Sequence, residues 1–86
     1  MMYEYATLED GTAIAYSNIN KDHTVRVEIE RPRDWGFDSA SCLMPVYSWL
    51  NVDGFSAEDL DGIQQFLQRN APLIFRLAQE KEINYA

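Results

Sequence analysis

His23–Pro32, HTVRVEIERP, is the stretch whose reading decides the fold. Val25, Val27 and Ile29 alternate with Arg26, Glu28 and Glu30, so the chain here forms a strand with one buried face and one wet face. A one-sided sheet needs a cover for its apolar side. The C-terminal third of the chain supplies one: from Leu60 onward, Ile63, Leu67, Ala71, Ile74 and Ala78 recur at helical spacing and make a single stripe. Phe66, Leu73 and Leu77 widen that stripe on one flank beyond the ~100° arc that one packed face requires.

The helix start is written in GFSAEDL, residues 54–60. Ser56 stands at the capping position, Asp59 where a capping box places its acid, and Phe55 can staple against Leu60. Glu58, Asp59 and Asp61 also set negative charge at the positive end of the helix dipole, which accounts for this acid cluster without a metal. Pro72 removes the bond to the Gln68 carbonyl. Two outcomes stay open: a helix kinked at Pro72, or a break at Asn70 with a second short helix beginning at Ala71.

Working back toward the N-terminus, YEYATLEDGTAIAYS reads as a hairpin about Asp10-Gly11, the pair suited to a two-residue turn. That turn sets Tyr5 against Tyr16, Thr7 against Ile14, Ala6 against Ala15 and Leu8 against Ala13. INKDH is a polar connection compatible with a second hairpin, and Pro32 is expected to end the following strand. RPRDWGFD then makes a longer loop before SASCLMP, whose Pro45 points to an edge strand or a bulge. Tyr47, Trp49 and Leu50 fall between the last strand and the helix cap. The expected fold class is α+β: an antiparallel β-meander of three to four strands packed against a long C-terminal helix, kinked or broken near Pro72. It spans 1–86 as a single domain, with the sheet in 3–50 and the helix in 56–82.

Eighty-six residues, 47% of them hydrophobic and 24% charged, suit one folded domain rather than a disordered tail. A single cysteine, Cys42, inside an apolar stretch fits a reducing cytosol, and MMYEYATLED has no basic region followed by an apolar core. The expected localisation is therefore cytoplasmic, without a membrane span. Seven Lys and Arg against fourteen Asp and Glu give a net charge of −7, which repels a phosphate backbone.

Reactive groups are scarce. Cys42 and His23, the only histidine, are the one nucleophile–base pair, and strand pairing about the 31–38 loop sets Cys42 opposite Val27 with His23 four residues, ~13 Å, further along. Zinc needs about four Cys or His ligands, and this chain holds two in all. The glycines at 11, 36, 54 and 62 are isolated, unlike those of a phosphate loop. Glu28 and Glu30 beside Arg26 read as a solvated charged face. Arg26, Arg31 and Arg33, flanked by Trp35 and Phe37, are raw material for a single-strand nucleic-acid site, offset by Glu28, Glu30, Asp34 and Asp38. No catalytic residue, cofactor or metal is assigned.

The run ERPRDWGFDSASCLMPVYSW, residues 30–49, with the early DGT turn and the GFS helix cap, resembles small uncharacterised bacterial proteins of about this size. The resemblance covers most of the chain and brings no activity and no site residue with it. Function is thus expected to be that of a non-enzymatic protein-interaction or regulatory module that self-associates through the helix flank. The rings between Asp34 and Phe55 are expected to roll back over the end of the sheet and close the core, and the alternative leaves Trp35 and Phe37 partly exposed as anchors for a partner. Trp35, Phe37, Phe66, Leu73 and Leu77 are the candidate interface. The alternative is an acidic inhibitor or antitoxin-like protein that engages a basic partner; a small enzyme or a single-strand nucleic-acid binder stands behind both.

Overall fold

The computed structural model describes residues 1–83. Those residues form an α+β fold with five strands and one helix: β1 (Met2–Thr7), β2 (Ala13–Ser17), β3 (Val25–Arg33), β4 (Gly36–Met44), β5 (Ser48–Asp53) and α1 (Ala57–Ile83). The strands make one antiparallel sheet in sequence order, β1-β2-β3-β4-β5. The end of the expected domain, residues 84–86, lies outside the described residues.

The alternation in HTVRVEIERP holds. Val25, Val27 and Ile29 are fully buried, and the register sets Val25 against Met44, Val27 against Cys42 and Ile29 against Ala40 on the same side. With Ile14 and Tyr16 of β2 they make the floor on which Ile63, Leu67, Ile74 and Ala78 of α1 lie. Three polar contacts fix the helix laterally: Tyr5 Oη donates to Asn70 Oδ1 at 2.7 Å over β1, Trp49 Nε1 donates to Gln64 Oε1 at 3.1 Å over β5, and Ile19 N donates to Ala78 O at 3.4 Å.

Four expectations need correction. The sheet has a fifth strand, because Ser48–Asp53, assigned to a connection, pairs along β4 as an edge. Only Trp49 of that strand turns inward, so its sequence lacks the alternation that marks a strand covered on one face. The first hairpin is not closed by a two-residue turn. Leu8 N donates to Thr12 O at 2.8 Å and Gly11 N to Leu8 O at 2.9 Å, with Gly11 at φ 88°, which is the three-residue loop whose left-handed third position favours glycine. The register shifts accordingly: Tyr3 faces Tyr16, Ala6 faces Ile14 and Thr7 faces Ala13, and a bulge at Tyr5 absorbs the offset.

Pro32 does not end β3, and 31–38 is not a loop: the ladder runs on through Pro32↔Phe37 to Arg33↔Gly36, closed by a tight turn at Asp34-Trp35. Beyond the Ala13↔Glu30 pair β2 no longer pairs with β3, so Pro32 lies where β3 has a ladder on one side alone, the setting in which a missing N–H is tolerated. Pro45 likewise falls outside the strands, in the turn between β4 and β5, and β4 is an interior strand. Of the two outcomes open at Pro72, the break is not the one adopted: α1 is one continuous helix across Pro72, and Asn70 caps no second helix. Its Nδ2 instead donates to Phe66 O within the same helix at 2.8 Å while its Oδ1 serves Tyr5.

Candidate functional site

The helix covers one face of the sheet only, and the residues singled out in the sequence separate by that division. Phe66 and Leu77 are half-buried, Phe66 against the Tyr5 ring at 6.3 Å, so the wide flank of the helix is consumed largely by β1. Leu73 alone of that flank stays 48% exposed. Trp35 and Phe37 sit at the far end of the β3–β4 hairpin, 80% and 63% exposed. The structure does not bring Trp35 and Phe37 together with Phe66, Leu73 and Leu77: the first pair stands at the hairpin tip and the helix-free side, the other three on α1.

Register explains where Phe37 points. Arg31 and Asp38 share the helix side, so Pro32 and its partner Phe37 share the open side, followed along the strands by Glu30↔Ser39 and Glu28↔Ser41. Asp53 faces Ser39 and Leu50 faces Ser41 from β5, and Ala13 and Ala15 face Glu30 and Glu28 from β2. Most of these side chains are short, so the face is flat. Phe37 and Leu50, 42% exposed, are its exposed large apolar members, with Leu43 half-buried on the same side. Sequence reasoning missed Leu50 because β5 was not seen as a strand; the alternation Phe37, Ser39, Ser41, Leu43 in β4 was the signal that could have placed the open face.

The three arginines of β3 are engaged in ion pairs. Arg26 pairs with Glu28, which also accepts from Ser41 Oγ at 2.8 Å. Arg31 meets Asp38 at 2.8 Å and Asp59 at 3.2 Å, and its guanidinium lies 4.6 Å from the centre of the Phe55 ring. Arg33 Nε donates to Asp38 Oδ2 at 2.6 Å and the same group lies 5.9 Å from the Trp35 ring centre. Asp38, buried between two arginines, is held below the usual carboxylate range by Arg31 first and by Arg33. Gly54, at φ 93°, is required here, since a Cβ on it would run into the Asp38 carboxylate.

This network joins the hairpin to the helix start, where the capping box forms as read: Asp59 N donates to Ser56 Oγ at 3.1 Å and Ser56 N to Asp59 Oδ2 at 3.0 Å. Beside it lies an open cleft of about 270 Å³ between the β1–β2 turn and the first turns of α1, lined by Leu8, Asp10, Thr12, Arg31, Asp59 and Ile63 among others. Asp10, Thr12, Arg31 and Asp59 of its lining are already engaged in hydrogen bonds or ion pairs. Asp10 Oδ1 accepts from Thr12 N at 3.0 Å, and Arg31 bridges Asp38 and Asp59.

Cys42 is fully buried opposite Val27, and burial pushes its thiol up to about 11. His23 is exposed in the β2–β3 connection at φ 66°, beyond the Val25↔Met44 pair, so four strand steps of ~3.3 Å separate it from Cys42. Among the described residues no group of three or more His, Cys, Asp and Glu side chains is placed to hold a metal ion. No helix among them is long and apolar enough to cross a membrane. Comparison with family models, with curated proteins and with solved structures finds no match to this chain.

Proposed function

We propose that this chain is a non-enzymatic protein-interaction module that docks through the β3–β4 tip and the adjoining helix-free face of the sheet. One observation carries the reading. A domain that buries Val25, Val27, Ile29, Leu67 and Ile74 completely leaves Trp35 80% and Phe37 63% exposed at neighbouring positions. Covering both rings would remove roughly 300 Å² from water, on the order of 7 kcal/mol before the costs of association. Rings of this kind at a surface are the usual anchors of protein interfaces.

A photoreactive benzoylphenylalanine at position 37, with a control at exposed Gln79 on the polar side of α1, tests the reading in the cells that make the protein. Discrete cross-linked species from position 37 and none from 79 are the expected outcome. No adducts at 37, or the same adducts from both positions, would remove the proposal.

Leu73 favours a second reading, self-association through α1. Its exposed isobutyl group lies between Arg69 and Arg76 along the helix, on the side away from β5. Sedimentation at micromolar concentration decides it: a dimer that Leu73→Glu splits supports this route, and a monomer in both proteins ends it.

A further inference from the structure

We infer that the open face of the sheet selects a basic partner: a segment of another protein that sets a lysine or arginine over Ser39 and an apolar side chain against Phe37 and Pro32. This rests on the interaction reading and adds to it the chemistry of the occupant. This face carries negative charge left over after its own ion pairing. Among the described residues Arg26 is the cation of this face, and Glu28 already neutralises it. Glu30 and Asp53 form no ion pair among the described residues, and both are exposed.

Their placement is specific. Glu30 on β3 and Asp53 on β5 face Ser39 of β4 from opposite sides, so their backbones stand about 10 Å apart, two strand spacings, with a short hydroxyl between them toward which both side chains can lean. A single ammonium or guanidinium seated over Ser39 meets both. One pair further along the same face, two residues or about 7 Å on, come Pro32 and Phe37, which would receive the apolar neighbour of that cation. Glu4 extends the negative charge toward β1, where it pairs with Ala15.

Other occupants fit less well. A second copy laid face to face would set these carboxylates against their own counterparts, and like charges across an interface cost affinity. A nucleic acid meets the same repulsion, within a chain of net charge −7. The face is flat, and the 270 Å³ cleft opens elsewhere, beside the helix start, so a side chain carried by a larger partner suits the face better than a free small molecule.

Titrating the isotopically labelled protein with three synthetic peptides of equal length tests the inference by amide shift perturbation. One alternates Lys and Leu, one Glu and Leu, and one Lys and Ser. The Lys–Leu peptide is expected to shift Glu30, Phe37, Ser39 and Leu50 and to bind at least about tenfold tighter than the other two, with affinity falling as salt is raised. Paired Glu30→Gln and Asp53→Asn changes should weaken it about tenfold with no change in melting temperature. Equal binding of the Glu–Leu peptide, shifts that fall on α1, or an unchanged affinity in the paired variant would each overturn the inference. The two proposals fail separately: cross-linking at position 37 without charge preference leaves an interaction module whose partner is not basic, whereas charge preference without cross-links leaves a face that attracts bases but meets no partner in the cell.

Discussion

The two faces of β4 are made from alternate residues of one strand, yet they do different work. Asp38, Ala40, Cys42 and Met44 look toward the helix, and each is buried. Phe37, Ser39, Ser41 and Leu43 look away, and the largest of them is the most exposed. Folding free energy therefore comes from one side of the sheet. Apolar surface on the other side contributes little to the fold, and this is the surface that the proposed docking role uses.

The largest effect that sharpens this contrast lies under the helix. Leu67 is fully buried at the middle of the stripe, so Leu67→Ala should cost about 2–5 kcal/mol by lost transfer energy and the cavity left behind. A domain of this length has only roughly 4–13 kcal/mol in total, so the loss removes a large share of its stability. Leu50→Ala on the open face should stay within about 1 kcal/mol. Urea denaturation of the two variants measures the difference; equal losses would mean that the open face is part of the core.

Thiol chemistry reads the same contrast with a smaller expected effect. Burial raises the Cys42 thiol from 9.0 to about 11, which alone lowers its thiolate fraction at neutral pH about a hundredfold. Ser48→Cys in a Cys42→Ala background sets a thiol on the open side of the sheet at an exposed position. It should be alkylated by iodoacetamide at least about a hundredfold faster than wild-type Cys42 in the folded protein. Comparable rates would show that the core opens far more readily than its packing implies.

How much of this was legible in the sequence depended on whether burial imposed a period. Val25, Val27, Ile29 and the Leu60–Ala78 stripe are each forced inward on one side, so their spacing reveals strand and helix directly. The capping box at Ser56 and Asp59 was legible for a similar reason, because two short polar side chains must answer two local N–H groups. β5 was not, since an edge strand with Trp49 as its one inward residue leaves no alternation in SWLNVD. The β1–β2 register was lost to a bulge at Tyr5 and to a third loop residue, neither of which changes composition. Of the candidate site, the exposure of Trp35 and Phe37 was an open alternative in the sequence, and their separation from Leu73 required the register. Asp38 could not be foreseen as the hub of Arg31 and Arg33, because the hairpin that brings them together runs through a proline.

Acid separates the two faces by a different route. Asp10, Asp38 and Asp59, on the helix side, are held below the ordinary value of 3.8 by Thr12, by Arg31 and by the Ser56 N–H respectively. A lowered folded value means that each contributes stability in full above its unfolded value and loses it as the pH falls through the folded one. Thermal stability should thus be level from neutral pH down to about pH 5 and decline below about pH 4. Asp38→Asn should flatten that acid limb. An acid limb that Asp38→Asn does not touch would mean that the buried network titrates alike in folded and unfolded chains.

The smallest expected change is the one at the tip. Trp35 contributes a ring that is four-fifths exposed, and its one described contact is Arg33 at 5.9 Å, a group already held by Asp38. Trp35→Ser should shift the unfolding free energy by less than about 0.5 kcal/mol. The fluorescence should change far more, because Trp49, half-buried with its indole N–H on Gln64, becomes the sole emitter. Emission should move to the blue and iodide should lose most of its power to quench it. If instead the variant loses more than about 1 kcal/mol, Trp35 packs against the fold in solution. The tip would then belong to the stabilising side of the sheet, and the open face would have to hold a partner without its largest ring.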